Sequence, residues 1–304
     1  MPGVAAESLG ARIIGAASMH ARPPGLAQGD NPAMDDTSFG AACAALVAAR
    51  RSARAIDAYP AAWQPADIDE GYRLQKAVAD ALGPVGGWKV GAVTPAQREA
   101  QGIDRPIGGA LLAPWLRNAN GGVASWRVTE FIVPKLECEL AFELGRDLPA
   151  RPGQPYTRDE VRDAVRCLRI GIEVVDSRLP PATGTLAELA DACNNGAYVV
   201  GPAFADWASI DFAGLGIVLT RSHAGTSTQI ATGSGAAILD GDPFGAVVML
   251  ANAPPDGRPG LRAGEIVTTG SCTGAPPLPG PGLYRAEFRG LGSLEVRFTA
   301  DAPA

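Results

Sequence analysis

The segment Ile170-Gly171-Ile172-Glu173-Val174-Val175 constrains this chain more than any other. It is apolar at both parities and carries one charge. A strand of that kind is covered on both faces, so the chain must build a sheet with material on each side of it. Glu173, the exception, then lies inside the protein. An ionised carboxylate removed from water needs a cation or a set of donors. Asp176-Ser177-Arg178 follows immediately. One reading is therefore an ordinary ion pair of Arg178 with Glu173 or Asp176; the other is a ligand role for Glu173.

A second strand sharpens the choice. In Leu136-Glu137-Cys138-Glu139-Leu140-Ala141-Phe142, period-two geometry puts Glu137 and Glu139 on one face, about 7 Å apart along the strand. Leu136, Cys138, Leu140 and Phe142 take the other face. Alone, this describes the wet face of an antiparallel strand. Combined with Glu173, it describes three carboxylates forming a hard-oxygen set. Such a set suits Mg²⁺ or Mn²⁺, whereas zinc would bring His or Cys. Lys89 is the third signal, in Gly86-Gly87-Trp88-Lys89-Val90-Gly91. A lysine flanked by glycines and apolar residues either faces an anionic ligand, acts as an acid/base, or snorkels from the surface. The chain has only 2 histidines, His20 and His223, which argues against a histidine relay. Gly233-Ser234-Gly235 and Gly270-Ser271 lack Walker spacing, which argues against nucleotide binding.

The net charge of −6 argues against nucleic acid or an acidic membrane as the main partner. No apolar run reaches the roughly 18 residues of a membrane span. The 5 cysteines are widely spaced without a C-x-x-C, as expected of reduced thiols in the cytoplasm. Residues 1–36, rich in Gly, Ala and Pro, are expected to be a disordered tail. A faint transit-peptide pattern, or a start codon placed too early with Met34 as the real beginning, are the other readings. Residues 37–85 read as helical. Thr37-Ser38 cap a helix to about Ala55. Asp69 leads into a second, with a stripe at Leu74, Ala77, Val78, Ala81 and Leu82 and a stop at Gly83. Residues 86–304 read mainly as strand and turn. Trp88 to Val93 is a strand, and Thr94-Pro95-Ala96-Gln97 is a capping box opening a short helix that Gly102 ends. Val161, Ala164, Val165 and Leu168 form a helical stripe. Asp242-Pro243 starts a buried helix to about Ala251, and Tyr284–Phe288 with Leu294–Phe298 makes a hairpin. The class is α+β.

These residues carry a resemblance. The chain resembles the 2-keto-4-pentenoate hydratase and 4-oxalocrotonate decarboxylase branch of the fumarylacetoacetate hydrolase superfamily. The matching stretches are Gly-Trp-Lys-Val-Gly at 87–91, Glu-Cys-Glu-Leu-Ala-Phe at 137–142 with Leu-Gly-Arg-Asp-Leu at 144–148, and Ile-Glu-Val-Val-Asp-Ser-Arg at 172–178. Leu-Ala-Asn at 250–252, Thr-Gly-Ser at 269–271 and Gly-Leu-Gly-Ser-Leu-Glu-Val at 290–296 follow in the same order. The resemblance implies a small helical N-terminal region and a mixed, β-roll-like catalytic domain. It implies Mg²⁺ or Mn²⁺ held by Glu137, Glu139 and Glu173, with Lys89 in the place of the family's pocket lysine. Asp176 and Ser271 fall on motif positions implying catalytic roles, and Arg178 and Asn194 on positions implying substrate contact.

Two departures stand out. Relatives carry an Ala-Asp-Asn-Ala-Ser-Ser-like stretch where this chain has Ala190-Asp191-Ala192-Cys193-Asn194-Asn195, so Asn194 or Asn195 must supply the polar contacts. Relatives also carry an aspartate before a glycine where this chain reads Pro106-Ile107-Gly108. The implied activity is hydration of a short 2-hydroxy-dienoate or 2-oxo-enoate from aromatic ring-cleavage catabolism. The alternatives are a 4-oxalocrotonate-type decarboxylase and, because of Ala192 and Ile107, a non-catalytic oxo-acid binding homologue. The implied partners are a small 2-oxo acid and further copies of the chain, as a dimer or larger homo-oligomer.

Overall fold

The computed structural model describes residues 32–255 and 257–301. The expected tail over 1–36, like His20, lies for the most part outside the described residues. Helices α1 (Asp36–Ser52) and α2 (Ile68–Leu82) come first, then β1 (Val85–Gly91), α3 (Pro95–Gln101), β2 (Ile107–Leu112), β3 (Leu116–Asn118), β4 (Val123–Arg127), β5 (Lys135–Leu144) and β6 (Leu148–Pro149). Next are α4 (Arg158–Ala164), β7 (Val165–Val175), α5 (Thr185–Ala190), β8 (Asn195–Phe204), β9 (Gly216–His223), β10 (Thr226–Ser234) and α6 (Pro243–Asn252). The chain closes with β11 (Gly260–Leu261), β12 (Ile266–Ser271), β13 (Gly282–Phe288) and β14 (Gly292–Thr299).

Capping chemistry sets the helix starts. Asp35, not Thr37 or Ser38, caps α1, because its carboxylate reaches the Ser38 N–H at 2.7 Å. Asp67 caps α2 in the same way, which starts that helix at Ile68. The capping box at Thr94 and the stop at Gly102 are as expected. The helical stripe over 161–168 ends early. Val165 and Leu168 belong to β7, where they pair with Leu144 and with Phe142 and Phe204. Cross-strand packing of branched side chains overrides their helical spacing here.

Seven strands form a mixed sheet in the order β2-β1-β12-β5-β7-β8-β3, and five form a second in the order β10-β9-β13-β14-β4. The first sheet curls until its margins meet. Leu111 of β2 and Tyr198 of β8 share one buried cluster with Ala141 and Ile266 across the interior. The outer face of this roll carries Leu136, Cys138, Leu140, Ile170, Ile172 and Val174. These pack in one core with Leu219, Tyr284, Ala286, Val296 and Phe298 of the second sheet. Each Leu, Ile, Val and Phe among them contributes roughly 1.5–3 kcal/mol on burial. The opposite parity of β5 and β7 therefore faces the inside of the roll, which puts Glu137, Glu139 and Glu173 there. Helices α1 and α2 bury Leu46, Val47, Leu74 and Val78 with Ala187 and Ala190 of α5. Gln75 ties α2 to the roll, donating to Gly108 O at 3.2 Å and accepting from Ala110 N at 3.0 Å.

Candidate active site

Strand register assembles the three glutamates. Glu137 of β5 lies directly opposite Glu173 of β7, and Glu139 opposite Gly171. Glu139 and Glu173 are fully buried, and the three residues offer carboxylate oxygens that lie within 4.8 Å of one another. Lys89 reaches them from β1 across the curl, with Nζ 3.0 Å from Glu173 Oε1. Asn195, at the start of β8, donates from Nδ2 to the same oxygen at 3.0 Å. Glu173 Oε2 and both oxygens of Glu139 have no hydrogen-bond partner among the described residues.

The electrostatics follow from this geometry. Burial pushes the Glu137 carboxyl up to about 7, with Lys89 opposing and Glu173 reinforcing the shift. Burial, then Glu173 and Glu137, raises Glu139 well above the usual carboxylate range. Burial would lower the Lys89 ammonium, but attraction to Glu173, Glu137 and Glu139 outweighs it and holds the group above its ordinary value. Three carboxylates against one ammonium leave an excess of two negative charges when all are ionised. Clustered oxygens, unpartnered carboxylates and that excess charge fit a hard divalent cation such as Mg²⁺ or Mn²⁺. Cys138 faces the other way, into the core between the sheets.

The remaining expected residues sit around this cluster but do not point into it. Asp176 accepts from the Ile132 and Val133 N–H groups at 3.0 and 2.8 Å. Arg178 is buried against Asp191, with Nε 2.7 Å from Oδ1 and a second bond to the Asp191 carbonyl at 2.8 Å. It also donates to the Asp176 carbonyl. The Arg178 guanidinium is thus engaged by Asp191 and the Asp176 carbonyl in this structure. Ser271 is the register partner of Glu139. Its hydroxyl nevertheless donates to Gly274 O at 2.8 Å and accepts from Thr273 N, inside its own turn.

Asn195 is the residue of this turn that reaches Glu173, for a conformational reason. Ala192, Cys193 and Asn194 have φ of 53°, 53° and 61°, three consecutive left-handed residues without a glycine. Each costs about 1–2 kcal/mol, so surrounding contacts must hold them. Gly109 makes one such contact possible, because a Cβ there would stand 2.3 Å from the Ala192 carbonyl oxygen. Arg50 makes another, donating to Asn195 O at 2.5 Å and Gly196 O at 2.9 Å. The turn changes the parity of the chain and aims Asn195 at Glu173. Ile107 is buried with Ile68, Tyr72 and Ile103 in an apolar cluster.

No protein-family model matches the chain. It is 30% identical over 270 residues to a 2-keto-4-pentenoate hydratase of Burkholderia vietnamiensis, covering 87% of this chain and 99% of that protein. It is 30% identical over 213 residues to a 4-oxalocrotonate decarboxylase of Pseudomonas putida, covering 70% of this chain and 76% of the relative. Among solved structures, 4-oxalocrotonate decarboxylase from Pseudomonas putida G7, complexed with magnesium and adipate, shares the fold. The TM-score is 0.75 at 23% identity, over 88% of this chain and 100% of that one. The chain belongs to the family of the 2-keto-4-pentenoate hydratases and 4-oxalocrotonate decarboxylases.

Proposed function

We propose that the chain is a metal-dependent hydro-lyase. It adds water to a short 2-hydroxy-dienoate or 2-oxo-enoate in the catabolism of aromatic ring-cleavage products. The observation that carries this reading is the convergence of Glu137, Glu139, Glu173 and Lys89 inside the roll, with three carboxylate oxygens left without partners. The hydratase names of relatives at about 30% identity support the reaction class. A divalent cation held by the three glutamates would supply Lewis-acid stabilisation of the negative charge that develops on a 2-oxo acid. Lys89 holds its proton at Nζ and presents a positive charge to an anionic substrate. Asn195 Nδ2 and Lys89 Nζ both engage Glu173 Oε1, which fixes that carboxylate and leaves Oε2 for a ligand. The sheet walls exclude water from Glu139 and Glu173, which strengthens every charge interaction there.

One second reading has a specific observation behind it. The match to a 4-oxalocrotonate decarboxylase is as strong in identity, and the fold neighbour at TM-score 0.75 carries the same name. One assay separates the two. Purified protein with Mg²⁺ or Mn²⁺ is incubated with 2-hydroxypenta-2,4-dienoate and with 2-oxohex-3-enedioate, following conjugated absorbance and CO₂. Loss of absorbance with water uptake is the expected result. CO₂ release establishes the decarboxylase. No turnover despite metal-dependent binding of the acid refutes both and leaves the non-catalytic binding homologue. The same proposal places the protein in the cytoplasm as a homo-oligomer. The free state of Cys43, Cys138, Cys167, Cys193 and Cys272 supports a reducing compartment. Among the described residues no helix is long and apolar enough to cross a membrane.

A further inference from the structure

Tyr198 sits beside the carboxylate cluster without any bond that explains its hydroxyl. It is fully buried on β8, in register with Glu173. Its ring packs with Leu111, Ala141 and Ile266, closing the interior of the roll. The ring lies over Gly171: a Cβ added there would stand 2.1 Å from the tyrosine Oη and 2.4 Å from Cζ. Gly171 is the cross-strand partner of Glu139. The missing side chain at 171 therefore gives the phenol the place directly opposite Glu139. Tyr198 Oη has no partner among the described residues, and neither does either oxygen of Glu139. The Thr268 hydroxyl, on β12 at the other side of β5, is also buried beside Glu139, and its pull on that carboxyl is outweighed by burial.

A buried hydroxyl left unpaired costs about 1–3 kcal/mol, and phenylalanine would fill the same apolar space without that cost. A donor facing an acceptor, both unsatisfied, is the arrangement by which outer groups orient a metal-ligating carboxylate. We propose that Tyr198 is a positioning residue for Glu139. Its hydroxyl donates, directly or through one buried water, to the Glu139 carboxylate and fixes the orientation in which Glu139 holds the cation. The inference rests on the reading of Glu137, Glu139 and Glu173 as a cation site, and it adds a residue whose ring the sequence presents only as core.

The test is calorimetric titration of MnCl₂ into EDTA-stripped wild type, Tyr198→Phe and Tyr198→Leu. Tyr198→Phe keeps the ring and is expected to bind Mn²⁺ about tenfold or more weakly, while its melting temperature in EDTA is unchanged or raised. Wild-type affinity in Tyr198→Phe overturns the inference. So does a loss confined to Tyr198→Leu, which assigns the tyrosine to packing alone. Wild type that binds no Mn²⁺ overturns the cation site itself, and this inference with it.

Discussion

Replacing Lys89 by methionine tests the charge balance of the site. The side chains are of similar length and Lys89 is only 13% exposed, so packing is largely kept and the charge is lost. Its Nζ lies 3.0 Å from Glu173 Oε1. At that separation, with an effective dielectric of about 20, the attraction is about 5.5 kcal/mol. Removing one partner of a buried pair typically destabilises by about 3–5 kcal/mol, because the other charge is left uncompensated. In metal-free protein, Lys89→Met should lose stability of that order. With saturating Mn²⁺ the cation neutralises Glu173, and the loss should shrink to the roughly 0.5–1.5 kcal/mol of one hydrogen bond. The thermodynamic cycle then requires the variant to bind Mn²⁺ more tightly than wild type, by about tenfold or more. The assay is denaturant unfolding at pH 8 in EDTA and in excess MnCl₂, with Mn²⁺ affinity from calorimetry. Equal destabilisation in both conditions, or unchanged Mn²⁺ affinity, would refute the argument that Lys89 and the cation answer to the same carboxylates.

Three further outcomes follow from the same geometry. Glu139→Gln and Glu173→Gln should each weaken Mn²⁺ binding by at least the roughly 10–100-fold typical of losing a ligand's supporting partner, since a neutral amide replaces an anionic ligand; calorimetry showing wild-type affinity in both removes the site. The Glu137 carboxyl, raised to about 7 from an ordinary 4.5, stabilises the metal-free fold below about 4.5 and ceases to do so as pH rises through 7. Scanning fluorimetry should accordingly show the EDTA melting temperature falling, and the gain on adding Mn²⁺ growing, from pH 5 to pH 8; a gain independent of pH contradicts the assignment. Arg178→Leu should destabilise the protein by about 3–5 kcal/mol by stranding Asp191 while leaving KM of the folded enzyme unchanged; a large rise in KM with normal stability would return Arg178 to the substrate.

The parts of the site that the sequence shows best are those whose signal is local. A carboxylate in an otherwise apolar strand is conspicuous, and period two alone puts Glu137 and Glu139 on one face. Orientation at the strand ends is not local. Asp176 and Arg178 lie close to the site in sequence, yet their side chains turn to Ile132, Val133 and Asp191. The approach of Asn195 to Glu173 depends on three left-handed residues that no glycine announces. Tyr198 reads as an ordinary core residue within an apolar strand, because its importance comes from Gly171 on a different strand. In the fold, the capping box at Thr94 was readable because both of its partners lie within four residues. Leu168 was not, because its strand state is decided by Phe142 and Phe204.

The treatment of other buried acids in this protein argues that the cluster is a site and not a flaw of packing. Glu143 is paired with Arg169 at 2.7 Å. Glu265 meets Arg258 at 3.2 Å and also takes the Trp88 indole N–H and the Arg262 N–H. Glu70 meets Arg73 at 2.8 Å and takes the Ala66 N–H. Asp191 has Arg178, and Asp176 has two backbone donors. Arginine, or a pair of N–H groups, is thus the regular answer wherever a buried carboxylate serves only the fold. At Glu137, Glu139 and Glu173 that answer is withheld: Lys89 pairs with Glu173 and attracts the other two, and neither oxygen of Glu139 meets an arginine or a backbone N–H among the described residues. An arginine placed there would satisfy the acids and fill the space. Leaving buried carboxylates short of donors, on hard oxygen atoms, costs the empty fold stability that a small divalent cation restores on binding.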